Sequence, residues 1–176
     1  MIGYLHGDDA LGQQSRAAAS AFGAPVLWGH PPPVVPGRSV STATDLGVPW
    51  LYTETPGGGR STPDDVTCYA EGVLNVMKHL DMVAGQPQPR PMTHHLVGEG
   101  DLDVVISAPE AGFFQPDITL LDEVRAGQRL GTIRDFFGQV KAEVVADRDG
   151  VVILLRRLPQ VDVGDSLAHV TGQLTP

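Results

Sequence analysis

The sequence predicts an α/β layer over residues 1–92 joined to a small β-sandwich over residues 93–176. Three observations carry this expectation. Short apolar runs alternate with helix-forming stretches up to about residue 84. The segment Gly85-Gln86-Pro87-Gln88-Pro89-Arg90-Pro91 then sets prolines at every second position, which no helix continues and which favours an extended linker. Beyond residue 104 the chain turns to short strands separated by turns, and two stretches of it match.

Within the first segment, residues 2–5 form a short apolar run that reads as a strand. Residues 10–22 are alanine-rich and free of proline, so they read as a helix, ended by Gly23. Residues 25–28 and 48–53 are further apolar runs, the second rich in β-branched and aromatic side chains. The next helix has the clearest start: Thr62 can cap it, Pro63 suits its first position, and Asp64 and Asp65 complement the dipole. Val66, Tyr69, Ala70, Val73, Met77 and Leu80 fall on one face of that helix, which is expected to be the buried one. The layer is short for a complete doubly wound domain and reads as the end of something larger.

In the second segment, residues 108–112 match residues 146–150. Val124-Arg125-Ala126-Gly127, followed by Leu130 and Ile133, matches Val161-Asp162-Val163-Gly164, followed by Leu167 and Val170. Corresponding positions lie 37 or 38 residues apart. Two copies are too few for a solenoid and fit a pseudo-symmetric sandwich with glycines at matching corners. The pattern is similar to the barrel-sandwich hybrid fold of lipoyl and biotinyl carrier domains. Lys141 stands close to the carriers' modified lysine but off its register, so a carrier role is not expected.

The chain has 176 residues, with 12 Lys+Arg against 21 Asp+Glu and a net charge of −9. That balance weighs against binding nucleic acid or an anionic membrane surface. No apolar run is long enough to span a bilayer and no signal peptide is evident. Cys68 is the one cysteine, which excludes an internal disulfide. A soluble, cytoplasmic protein is expected.

The segment that carries chemistry is Leu51-Tyr52-Thr53-Glu54-Thr55-Pro56-Gly57-Gly58-Gly59-Arg60. A carboxylate closes an apolar strand, and a glycine-rich turn follows that lets backbone approach a ligand closely. Glu54 held there could act as a general base on a water molecule. Most strand-end glutamates are solvated surface groups, and the residues alone leave both roles open.

The chain resembles the succinylglutamate desuccinylase/aspartoacylase family. The matching pieces are Ala21-Phe22-Gly23-Ala24-Pro25-Val26, Gly47-Val48-Pro49 leading into Thr53-Glu54 and the glycines, and residues 72–80. Ala108-Pro109, Gly112-Phe113-Phe114 and Phe137-Gly138 follow in the same order. The resemblance implies a zinc-carboxypeptidase-like α/β layer, truncated here to its C-terminal half. It also implies zinc held by a His-x-x-Glu pair and a later histidine, with hydrolysis of an N-acyl amide. Glu54 would be the general base and proton shuttle, and Gly57, Gly58, Gly59 and Arg60 would belong to the substrate loop. Pro56 departs from the family, which runs from the glutamate through a small residue into glycines.

Zinc is expected for the family but not for this chain alone, because the first ligand pair should stand farther before the glutamate than this chain reaches. His6-Gly7-Asp8-Asp9 is similar to the family's His-Gly-Asp-Glu, which allows a metal site around His6 and Asp9 as a lesser alternative. His30, His79 and His169 show no ligand spacing, and His94-His95 is expected to be exposed in the linker. Two main readings remain. The chain is the C-terminal part of a zinc amide hydrolase completed by a separate N-terminal half. Alternatively it is a non-catalytic remnant or binding module, a homo-oligomer that covers the open sheet edge.

Overall fold

A computed structural model of the chain describes residues 1–55, 57–98 and 104–174; Pro56 lies outside the described residues. Two compact units are present, one holding the described residues up to 98 and the other residues 104–173.

The first unit runs β1 (Ile2–Leu5), α1 (Ala10–Phe22), β2 (Val26–His30), α2 (Ser39–Asp45), β3 (Leu51–Thr53), α3 (Pro63–His79) and β4 (His94–Val97). Its strands lie in the order β3-β1-β2-β4. β2 is parallel to both β1 and β4, and β3 is antiparallel to β1. Ile2, Tyr4 and Leu27 point to one face and pack with Ala19, Phe22 and Ala24 into a single apolar core. Asp9 caps α1, its carboxylate accepting the Gly12 N–H at 2.8 Å, and left-handed Gly23 ends it.

α3 begins as the sequence predicts. The Thr62 hydroxyl accepts the Asp65 N–H at 3.1 Å, and the Asp65 carboxylate accepts the Thr62 N–H at 2.7 Å. Its buried face is a correction. Cys68, Gly72 and Asn75 face inward, while Val66, Val73 and Leu80 are exposed. Two contacts rotate the helix away from its apolar stripe. A Cβ on Gly72 would lie 2.2 Å from the Phe22 ring, so only glycine lets α1 approach so closely. Asn75 is fully occupied by the Phe22 and Gln88 carbonyls and by the Gln88 N–H, at 2.9 Å for the last.

Two further expectations change. The proline-rich segment is docked rather than free: Asn75 holds Gln88, a Cβ on Gly23 would meet the Pro89 backbone at 2.5 Å, and Arg90 pairs with Asp64 and Glu71 at 2.9 and 3.2 Å. His94 and His95 are half-buried strand residues of β4, paired with Val26 and Leu27, so the sheet continues past residue 92.

The second unit is all β: β5 (Ile106–Ser107), β6 (Gly112–Pro116), β7 (Glu123–Val124), β8 (Arg129–Arg134), β9 (Val140–Val145), β10 (Gly150–Leu155), β11 (Gln160–Val161) and β12 (Ser166–Gln173). Antiparallel strands β12-β10-β7, with β5 beside β12, form one sheet, and β11-β6-β8-β9 form the other. Phe114, Leu130, Ile133, Val144, Val152, Leu167 and their neighbours share one buried core.

The internal repeat appears as an exchange. Gly150 of the second copy pairs with Val124 of the first, and Gly112 of the first pairs with Val161 of the second. The Gly127 N–H donates to the Ala146 carbonyl and the Gly164 N–H to the Ala108 carbonyl, each at 2.8 Å. Lys141 Nζ donates to the Ala111 carbonyl at 2.7 Å and lies 3.4 Å from Glu110. Among the described residues no helix is long and apolar enough to cross a membrane.

Candidate active site

β3 sets the site because its register on β1 fixes every neighbour of Glu54. Tyr52 lies opposite Gly3, and a Cβ on Gly3 would fall 2.0 Å from the Tyr52 ring. Glycine at this strand position lets the ring lie across β1. The Tyr52 hydroxyl then sits 2.8 Å from Nε2 of buried His30, within an aromatic cluster completed by Trp28 and Trp50. Burial raises the Tyr52 pKa, the Glu54 charge raises it further, and Arg38 opposes them. Tyr52 therefore keeps its proton, and its hydroxyl is hydrogen-bonded to the His30 ring. Trp50 ties α2 to this cluster by donating Nε1–H to the Thr44 hydroxyl at 2.8 Å.

Glu54 follows the last residue of β3 and is solvent-exposed. Its backbone is pinned: its N–H donates to the Met1 carbonyl at 3.2 Å, and its carbonyl accepts the Met1 amino group at 2.9 Å and the Tyr69 hydroxyl. Burial, then the charges of Cys68, Asp65 and Glu54, push the Tyr69 pKa up to about 12, so Tyr69 is a permanent donor. No described residue bonds the Glu54 carboxylate, which leaves it available to a ligand. Gly57, Gly58 and Gly59 have φ of 80°, 70° and 69°, three consecutive left-handed residues that side chains would strain. A Cβ on Gly57 or Gly59 would meet nothing within 4 Å, so the turn borders open space. Arg60, exposed, follows directly.

His6 and Asp9 are not brought to Glu54. Glu54 bonds Met1 at the start of β1, and His6 follows its end, about 17 Å away at roughly 3.3 Å per residue. The Asp9 carboxylate is the α1 cap, and His6 Nδ1 instead lies 3.2 Å from the Tyr4 hydroxyl, which also reaches His95 Nε2 at 2.6 Å. Among the described residues no group of three or more His, Cys, Asp or Glu side chains is placed to hold a metal ion.

No protein-family model matches the chain. It is 29% identical over 167 residues to the N-alpha-acetyl-L-2,4-diaminobutyric acid deacetylase of Halomonas elongata, covering 93% of this chain and 48% of the relative. A succinylglutamate desuccinylase/aspartoacylase structure from Rhodobacter sphaeroides superposes with a TM-score of 0.83 at 29% identity, covering 99% of this chain and 53% of that one. The chain resembles the C-terminal half of the succinylglutamate desuccinylase/aspartoacylase family. The apo ectoine utilization protein EutE (DoeB) of Ruegeria pomeroyi is similarly close, with a TM-score of 0.86 at 26% identity over 98% of this chain and 55% of that one. The chain thus spans about half the length of these desuccinylase/aspartoacylase-type relatives.

Tyr52, His30 and Tyr69 were not singled out as site residues from sequence. A glycine inside a short apolar strand, Gly3, is the signal that marked a close approach there.

Proposed function

We propose that this chain is the C-terminal portion of a zinc-dependent amide hydrolase that releases the acyl group of an N-acyl amino acid. The observation that carries the reading is Glu54 at the end of β3, its backbone pinned and its carboxylate unbonded among the described residues, followed by three left-handed glycines. The relatives, a deacetylase and a desuccinylase/aspartoacylase, support the reaction class.

Zinc is not fitted by this chain's own donors, since no three-ligand group exists among the described residues. A complementary N-terminal half would have to bring the ligands. Glu54 takes the proton of the water that adds to the acyl carbonyl and delivers it to the departing amine. Tyr69 and Met1 hold the Glu54 backbone still during that transfer. The left-handed turn leaves room for substrate backbone atoms at close range.

The same lack of a ligand group favours a second reading, a module that keeps the fold without the chemistry. The test is reconstitution with an N-terminal half of the family fold and assay on N-acetyl amino acids. Glu54→Gln should keep the fold and lower turnover by about 10²–10⁴-fold, the usual contribution of a general base. Near-normal turnover in that variant would remove Glu54 from the chemistry. Reconstitution that yields neither zinc binding nor hydrolysis would favour the second reading.

A further inference from the structure

We propose that the groove of the second unit beside the β8–β9 turn binds a small amphipathic carboxylate, its aromatic or long-chain body on the apolar floor and its carboxylate at the arginines. The inference stands apart from the role of Glu54, because every residue lining the groove lies between 113 and 159. The groove has a volume of about 990 Å³, at the upper end of the range for small-molecule sites. Ile118, Leu120 and Leu155 line it and also pack against the buried core of the unit, so its floor is fixed before any ligand arrives. Phe113 and Phe136 line it too, meeting edge to face with ring centroids 5.0 Å apart. Phe136 is nonetheless 88% exposed, which leaves most of an aromatic side chain uncovered at the edge of an apolar hollow. Contiguous apolar surface with a polar rim is what a chain keeps for a ligand.

Charge selects the other end of that ligand. Arg134, Arg156 and Arg157 all line the groove, against the single carboxylate of Asp135, in a chain whose net charge is −9. Asp135 serves its own turn, one oxygen accepting the Phe137 and Gln139 N–H groups at 2.8 and 2.9 Å. Arg156 is paired with Asp165 at 3.0 Å. Arg134 is held by neutral acceptors, the Gln115 side chain at 3.1 Å and the Gly138 carbonyl at 2.8 Å, so its position is fixed while its charge is not cancelled. Arg157 is exposed and pairs with no described residue.

Two guanidiniums without a carboxylate partner therefore border an apolar floor. The planar fork of arginine matches a carboxylate, and the hydrogen bonds it makes there are the charge-assisted kind. A small hydrated anion would leave the floor uncovered, and an uncharged apolar molecule would leave the arginines unanswered. A carboxylate with an apolar body satisfies both.

Titration of the isotope-labelled full chain with phenylbutyrate, followed by amide chemical shifts, tests this, with uncharged phenylbutyramide as the comparison. Phenylbutyrate should give saturable shifts confined to the groove, around Phe113, Phe136 and Arg157, with a Kd on the order of millimolar for so small a probe. Phenylbutyramide should bind about 10-fold more weakly, the usual worth of a charge-assisted hydrogen bond. Arg157→Glu should weaken phenylbutyrate by about 10-fold or more and leave phenylbutyramide unchanged, whereas Phe136→Ser should weaken both. Both side chains are exposed, so the remaining amide shifts should stay as in the wild type. Shifts that fail to saturate or fall outside the groove, equal affinity for acid and amide, or an Arg157→Glu variant that binds phenylbutyrate like the wild type would each overturn the proposal. Displacement of phenylbutyrate by inorganic phosphate at equal concentration would assign the arginines to phosphate and overturn it as well.

Discussion

Tyr4 places one hydroxyl between His6 Nδ1 at 3.2 Å and His95 Nε2 at 2.6 Å. Burial, then Arg16 and His6, push the His95 pKa below its ordinary 6.5, so His95 stays neutral to lower pH than a free imidazole. Burial, then Arg148, lowers His169 in the same direction. Between the lowered folded values and about pH 6.5 the unfolded chain binds protons that the fold refuses. The contribution to stability is complete above that window and is lost as pH falls through it. Thermal midpoints should drop between about pH 7 and pH 5, and His95→Gln, which keeps an acceptor for Tyr4, should shallow the drop. An undiminished slope in His95→Gln would assign it to other groups. The place of Glu54 at the end of β3 was legible in the sequence because an apolar run closed by a carboxylate and glycines is a local pattern. Its neighbours were not, because Tyr52 reaches His30 only through the register that sets it over Gly3, and register is a property of two strands.

α3 shows the same limit for a whole element. Its start was legible in Thr62, Pro63 and Asp65, all local capping chemistry. Its orientation was not, because the inward face is chosen by a glycine and an asparagine, residues that no hydrophobic pattern counts. Gly72→Ala tests which effect governs the helix. Alanine gains about 1 kcal/mol in helix propensity, but its Cβ would enter the Phe22 ring, and overpacking a core contact costs about 1–3 kcal/mol. The net change should be destabilising, read as a lower denaturation midpoint; a raised midpoint would mean α1 yields freely. α2 escaped the sequence altogether. Val40, Thr42 and Thr44 are poor helix formers, and what anchors the segment is the Thr44–Trp50 hydrogen bond.

Across the molecule, the internal repeat was the most legible long-range feature, and the pairing explains it. Gly112 and Gly150 occupy equivalent positions, each against a carbonyl, of Arg134 and Thr171, where a Cβ would lie 2.5 and 2.4 Å away. The same close approach to a carbonyl therefore recurs at the matching glycine of each copy. Gly112→Ala and Gly150→Ala should each destabilise the chain, by about 1–3 kcal/mol, with the larger loss at Gly150, where φ of 155° adds strain. A neutral result at one site alone would show that the two halves are not mechanically equivalent. The exchange of short strands between copies is not legible, since strands of two residues carry no period.

The docked proline-rich segment has a consequence for how the chain meets a protease. A cleavage cleft needs several residues of pliable, extended backbone that can leave the surface together. Residues 85–91 have the composition of such a stretch, yet Gln88 is held by Asn75, Pro89 lies on Gly23 and Arg90 is clamped by two carboxylates. Cutting between Gln88 and Arg90 would first require α1 and α3 to release their strap, so this part of what looks most like a hinge in the sequence should resist nicking while the first unit stays folded.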